Sequence, residues 1–239
     1  MLQPRPLAAG SAIPPMALVI KICGLTTPDT LEVALEAGAD MVGFVFFPPS
    51  PRHLDGRLAE TLGRHVADRA RKVALTVNAD DALLTTIVNT LKPDFLQLHG
   101  HEPPDRVSAV KRRFGRAVIK AIPVGAPGDL RCVDDYAAVA DYVLFDARPP
   151  RAATRPGGLG SAFDWGLLEN LDPGVPFMLS GGLDPENVAH ALALTRPQGV
   201  DVSSGVERVA GEKDPDKIRA FIRAAREAAT LKNAAARSA

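Results

Sequence analysis

Residues 18–35 read LVIKICGLTTPDTLEVAL. The stretch opens as a short apolar run from Leu18 to Ile22, stops at Cys23-Gly24, and restarts at Thr27-Pro28-Asp29 with the spacing of a helix. Leu31, Ala34, Leu35 and Gly38 fall at i, i+3, i+4 and i+7, so one stripe of that helix needs a surface to cover. Strand, tight turn and helix in this order make a βα unit. The thiol of Cys23 then stands at the carboxyl end of a strand, where ligands bind in parallel α/β sheets, and a thiol there serves as base or nucleophile. A buried cysteine acting as a small hydrophobe is the competing reading.

The same pattern recurs along the chain. Further strands are expected at Met41 to Phe46, Val73 to Val77, Phe95 to Leu98, Ala117 to Ile122, Tyr142 to Phe145, Phe177 to Leu179 and Gly199 to Val202. Most are apolar at nearly every position, as parallel strands covered on both faces are. Helical stripes recur at Leu84, Ile87, Val88, Leu91 and at Ile218, Phe221, Ile222, Ala225. Asp184-Pro185-Glu186 and Asp214-Pro215-Asp216 repeat the helix-opening device of Thr27-Pro28-Asp29: a capping oxygen, a proline and an acid. Eight βα units predict a single (β/α)8 barrel of class α/β, over residues 17–239, with residues 1–16 as a flexible N-terminal extension and Met16 as an alternative start. An open doubly wound sheet is the alternative, but no GxGxxG follows the first strand.

Composition narrows the function. The 239 residues carry 28 basic and 28 acidic side chains, so no net field draws the chain to nucleic acid or anionic lipid, and no apolar stretch has the length of a membrane span. The two cysteines, Cys23 and Cys132, make neither a CxxC nor a disulfide framework, which fits a reducing cytoplasm.

A barrel concentrates its chemistry at the carboxyl ends of its strands. Strand six ends in Asp146, either a catalytic acid or a carboxylate capping its loop. Paired with Cys23 it suggests two proton-transfer groups facing one cavity, as a sugar isomerase needs. The loops after strands seven and eight, Ser180-Gly181-Gly182-Leu183 and Ser203-Ser204-Gly205-Val206-Glu207, are glycine-rich at the two places where many barrels hold phosphate. After strand six the segment RPPRAATRPGGLGSAFDW, with Gly157, Gly158 and Gly160, is long for a βα loop and reads as a flap. Arg52, behind a proline-stiffened loop, suits a carboxylate. His99-Gly100-His101 has the look of a metal pair, but no partner ligand has matching spacing, so Gln97 and His99 are expected to line the pocket instead. Lys120 lies in mid-strand and reads as a structural lysine pointing inward.

The motifs KICGLT (Lys21 to Thr26), GFVFFPPSPR (Gly43 to Arg52), QLHG (Gln97 to Gly100), LFDA (Leu144 to Ala147), PGGLGSAFDW (Pro156 to Trp165), LSGGL (Leu179 to Leu183) and DVSSGVE (Asp201 to Glu207) stand in the order that they have in one family. From about Leu18 through the last helix the chain resembles the phosphoribosylanthranilate isomerases of tryptophan biosynthesis. The resemblance implies an Amadori rearrangement with Cys23 as general base and Asp146 as general acid. It implies that Arg52 binds the anthranilate carboxylate, that Gly182, Ser203, Ser204 and Gly205 lie around the phosphate, and that Asp201 stands near the sugar, with Gly158 and Gly181 as further substrate-binding candidates. It implies a small phosphosugar substrate, no metal or organic cofactor, and a monomer or homodimer. The flap departs from the family pattern: Leu159 and Ser161 flank Gly160 where a threonine and a basic residue are usual, leaving Arg155 or Arg151 to supply closure. Other phosphosugar barrels would put an acid at the end of strand one or a His/Asp metal cluster. A non-catalytic phosphate binder would not need Cys23 and Asp146.

Overall fold

Every residue of β1 (Val19–Cys23) is buried, because its alternate side chains enter two different cores. The computed structural model describes residues 18–150, 152–160 and 162–237, with residues 232–237 as backbone alone. The expected extension over residues 1–16, the start at Met16, and the flap residues Arg151 and Ser161 lie outside the described residues.

β1 is followed by β2 (Met41–Phe46), β3 (Arg71–Thr76), β4 (Phe95–Leu98), β5 (Ala117–Val124), β6 (Tyr142–Ala147), β7 (Phe177–Leu179) and β8 (Gly199–Val202). All pair in parallel in chain order, and β8 returns to β1 to close the barrel. The connecting helices are α1 (Pro28–Glu36), α2 (Gly56–Val66), α3 (Asp81–Leu91), α4 (Pro104–Phe114), α5 (Val133–Ala137), α6 (Val188–Thr195) and α7 (Pro215–Arg237). The (β/α)8 barrel read from the sequence is the observed fold.

Residues facing outward from the strands, such as Ile20, Ile22, Phe44 and Phe145, join Leu62 and Phe221 of the helices in a continuous outer core. Inward-facing Val19, Met41, Val73, Ile119, Leu144 and Met178 form a separate apolar plug inside the barrel. Lys21, Gln97 and Asp201 are also fully or nearly fully buried, and Lys21 follows the plug residue Val19 by two positions along β1. Hydrocarbon therefore fills the amino-terminal end, and polar groups begin where the site begins.

Three expectations need correction, and one element is added. The helix expected at Asp184-Pro185-Glu186 begins only at Val188, because the Asp184 carboxylate accepts the N–H groups of Glu186 and Asn187 (2.8 and 2.9 Å) and closes a turn first. Among the described residues no regular helix joins β6 to β7; the long glycine-rich loop ends in a 3₁₀ turn, Trp165–Leu168. A small antiparallel hairpin, β9 (Glu207–Val209) and β10 (Glu212–Lys213), follows the loop after β8. Lys120 is structural but points outward from the barrel: its neighbours Ile119 and Ala121 belong to the inner plug, whereas its ammonium lies 5.4 Å from the ring centre of Tyr136 on α5. Among the described residues no helix is long and apolar enough to cross a membrane.

Candidate active site

The carboxyl ends of the strands surround a cleft of about 810 Å³, open mouth included. Cys23 and Asp146 both line it, as do Arg52, His99, Asp201, Ser203, Ser204, Gly181, Gly182 and the flap residues Gly157 to Gly160. Ten of the twelve residues singled out from the sequence are thus brought to one cavity. Gln97 and Gly205 are not.

Gln97 is fully buried beneath the wall, with Nε2 3.0 Å from His99 Nδ1, so it orients the histidine. Gly205 lies behind the wall: a Cβ there would stand 1.9 Å from the Leu183 carbonyl oxygen, so its lack of a side chain lets the loops after β7 and β8 touch. Two histidines do not converge in HGH. His99 Nε2 meets Asp146 Oδ2 at 3.1 Å, whereas His101 is exposed.

Strand alternation places Lys21 and Cys23 on the same inner face of β1. Lys21 is the register partner of Asp201 on β8, and its Nζ donates to Asp201 Oδ1 at 2.9 Å with both side chains buried. Cys23 is the register partner of Gly43 on β2. A Cβ on Gly43 would lie 2.8 Å from the Cys23 sulfur and 3.2 Å from Lys21 Cε, so the missing side chain makes the room in which thiol and lysine meet. Burial pushes the Cys23 thiol up from its ordinary value, and the Lys21 ammonium beside it is the main opposing influence. Burial works against the Lys21 charge as well, but Asp201 and Cys23 together hold its pKa above the usual lysine value.

Asp146 is 6% exposed. Its Oδ1 accepts the N–H of Ala147 at 2.9 Å while Oδ2 faces His99. Gly157 of the flap passes directly over this pair: a Cβ there would lie 2.6 Å from Asp146 Oδ2 and 2.8 Å from His99 Nε2. Leu159 stays 38% exposed at the mouth, and Arg155 lines the cavity beside it.

Arg52 reaches the cavity already held by a carboxylate. Its Nε and Nη2 donate to Glu207 Oε1 and Oε2 at 2.6 and 2.7 Å, and Nη2 also donates to the Gly158 carbonyl at 3.2 Å. Lys213, on β10, donates to the same Glu207 Oε1 at 2.8 Å. Burial raises the Glu207 pKa, but hydrogen bonds from Arg52 and the charge of Lys213 outweigh it and hold the carboxyl at about 2. Burial brings Lys213 down to about 8, since the one carboxylate it leans on is shared with Arg52. Two cations around one anion leave this wall of the cavity positive, which suits an acidic ligand.

Sequence reasoning did not find Lys21, Gly43 or Lys213. The signal for the first was legible as a lysine two residues before the thiol in an otherwise apolar strand. Gly43 required the β1–β2 register, and Lys213 required a hairpin of three-residue and two-residue strands.

A family model described as N-(5'phosphoribosyl)anthranilate (PRA) isomerase matches residues 20–224. An N-(5'-phosphoribosyl)anthranilate isomerase of Rhodopseudomonas palustris is 65% identical over 213 residues, covering 89% of this chain and all of the relative. One from Bradyrhizobium diazoefficiens is 64% identical over 88% of this chain and 95% of its own length. Among solved structures, phosphoribosyl anthranilate isomerase from Thermotoga maritima superposes with a TM-score of 0.80 at 34% identity, covering 88% of this chain and all of that one. A similar structure, at a TM-score of 0.78 and 33% identity over the same shares, holds reduced 1-(o-carboxyphenylamino)-1-deoxyribulose 5-phosphate.

Proposed function

The chain belongs to the N-(5'-phosphoribosyl)anthranilate isomerase family, and we infer that its cavity carries out the family's reaction with Cys23 and Asp146 as the proton-transfer pair. The protein is an aldose-ketose isomerase of tryptophan biosynthesis. It converts N-(5-phosphoribosyl)anthranilate, an aminoaldose, into 1-(2-carboxyphenylamino)-1-deoxyribulose 5-phosphate by an Amadori rearrangement.

In this reading Asp146 protonates the ring oxygen, and the furanose opens to an iminium. The iminium acidifies the C2–H bond, the Cys23 thiolate removes that proton, and the enolamine tautomerises to the ketone. Lys21 is the cation that makes a buried thiolate attainable. His99 holds Asp146 toward the cavity, and the flap glycines exclude water from the opened sugar. Arg52 turns its remaining donors to the anthranilate carboxylate, while Gly181, Gly182, Ser203 and Ser204 receive the phosphate. Asp201, tied to Lys21, lies beside the sugar. These steps use side chains of residues 17–239 as one catalytic domain. The free Cys23 and Cys132 favour a reducing cytoplasm, and the assembly is a monomer or homodimer.

The single observation carrying this reading is that Cys23 and Asp146, 123 positions apart in sequence, line the same cavity. Expression in a strain lacking this isomerase tests it: the parent chain should restore growth without tryptophan, and Cys23→Ala should not. Rescue by the alanine variant at the parental rate would remove Cys23 from the mechanism.

A further inference from the structure

Glu207 and Lys213 are buried behind the cavity wall, yet each touches a loop that the proposed function assigns to a different end of the substrate. All the hydrogen bonds recorded for the Lys213 ammonium point into this region: to the Ser203 carbonyl at 2.8 Å, to Ser203 Oγ at 3.2 Å and to Glu207 Oε1 at 2.8 Å. Glu207 passes the connection on to Arg52 through both oxygens, and Arg52 reaches the flap at Gly158. The unit is pinned from behind, since Gly211 N–H donates to Glu207 Oε2 at 3.2 Å and Lys217 of α7 donates to the Glu207 carbonyl at 2.8 Å. Four segments of the chain, the loops after β2, β6 and β8 and the β9–β10 hairpin, therefore meet in one line: Ser203, Lys213, Glu207, Arg52, Gly158.

We propose that Glu207 and Lys213 form a buried strut of two positioning residues that sets Arg52 and Ser203 relative to each other, so that the carboxylate and phosphate ends of the substrate are bound as one coupled unit. This rests on the reading of Arg52 and Ser203 as ligands of those two ends. Arginine has a long, rotamer-rich side chain, and holding one edge of its fork fixes where the other edge points. The same lysine fixes the first residue of the phosphate loop, so a shift at either end is transmitted through short, charge-assisted contacts. Removing Glu207 alone would leave two buried cations without the carboxylate they share, which costs folding as well as positioning. The informative variant is therefore the double, Glu207→Gln with Lys213→Met, which keeps the net charge of the cluster.

The experiment measures competitive inhibition constants for two half-ligands, anthranilate and inorganic phosphate, together with kcat. In the double variant both constants should rise by about 5-fold or more, the scale at which coupled sites influence each other. The kcat should change less than either constant, because Cys23 and Asp146 are untouched. Lys213→Arg should bring both constants back together, and Glu207→Gln alone, which keeps the outline of the fork, should raise both in the same direction. A rise for phosphate alone, or no rise for either, overturns the strut. Arg52→Ala separates the two layers of argument. It must weaken anthranilate more than phosphate; if anthranilate binding is unchanged, the assignment of Arg52 fails whatever the strut variants do.

Discussion

Lys21 and Lys120 are both buried strand lysines, each paired with a carboxylate, and the barrel wall stands between them. Lys120 faces the helices. Its ammonium donates to the carbonyls of Leu98 (3.2 Å) and Gly100 (2.7 Å) and to Glu102 Oε2 (3.0 Å), while Glu102 also accepts the N–H groups of Asn78 and Gly100. Burial holds the Lys120 pKa below its ordinary value despite Glu102. Lys21 faces the cavity end of the interior, with one carboxylate oxygen at 2.9 Å and the Cys23 thiol as its other neighbour, and its pKa is held above the ordinary value. A buried lysine whose donors are spent on backbone carbonyls is a brace for a loop. One left beside a titratable thiol lends its charge to chemistry. Burial alone does not separate the two roles; the acceptors around each ammonium do.

The largest effect expected from breaking this contrast is on Cys23 itself. Cys23→Ala should lower turnover ~100-fold to ~10,000-fold, the usual cost of a well-placed base, with binding of the reduced product analogue retained. Turnover near the parental rate would put the chemistry elsewhere.

The brace should answer differently. Lys120→Met leaves Glu102 buried without its cation, so the free energy of unfolding should fall by about 3 kcal/mol or more. Its kcat should fall far less than that of Lys21→Met. Urea unfolding and turnover measured on the same preparations check this, and a kcat loss equal to that of Lys21→Met would erase the distinction between the two lysines.

A third effect comes from Glu207, on the reactive side. Its carboxyl ionises at about 2 in the folded protein against an ordinary 4.5, so its contribution is fully present above pH 4.5 and is lost as pH falls toward 2. The shift corresponds to stability on the order of 3 kcal/mol at neutral pH. Glu207→Gln should therefore be less stable than the parent near pH 6, and the gap should narrow as the pH is lowered from 5 to 3. A gap that stays constant through that range would mean that the carboxylate is not held by Arg52 and Lys213.

Much of the fold and of the site is legible in the sequence, whereas the contrast between the two lysines is not, and the reason is physical. Eight apolar runs and their helical stripes specify the barrel because each parallel strand is covered on both faces. That same covering hides the alternation that separates inward from outward residues, so Lys120 was read on the wrong face and Lys21 was passed over. Cys23, Asp146 and the two glycine-rich loops stood out because they interrupt apolar runs at strand ends. Gln97 and Gly205 sit one layer behind those positions and carry the same motif signal, which a linear sequence cannot resolve in depth. Glu207 and Lys213 come together through a hairpin too short to leave any periodicity.

The central claim is that Lys21, and not burial in general, sets the reactivity of Cys23, and the rate of iodoacetamide alkylation of Cys23 against pH tests it most directly. Cys132→Ser removes the second thiol, and the parent, Lys21→Met and Lys120→Met are compared in that background. Lys21→Met should move the alkylation midpoint to higher pH, as expected when a neighbouring cation is lost from a buried thiolate, while Lys120→Met leaves it at the parental position. Superimposable profiles for Lys21→Met and the parent would contradict the account.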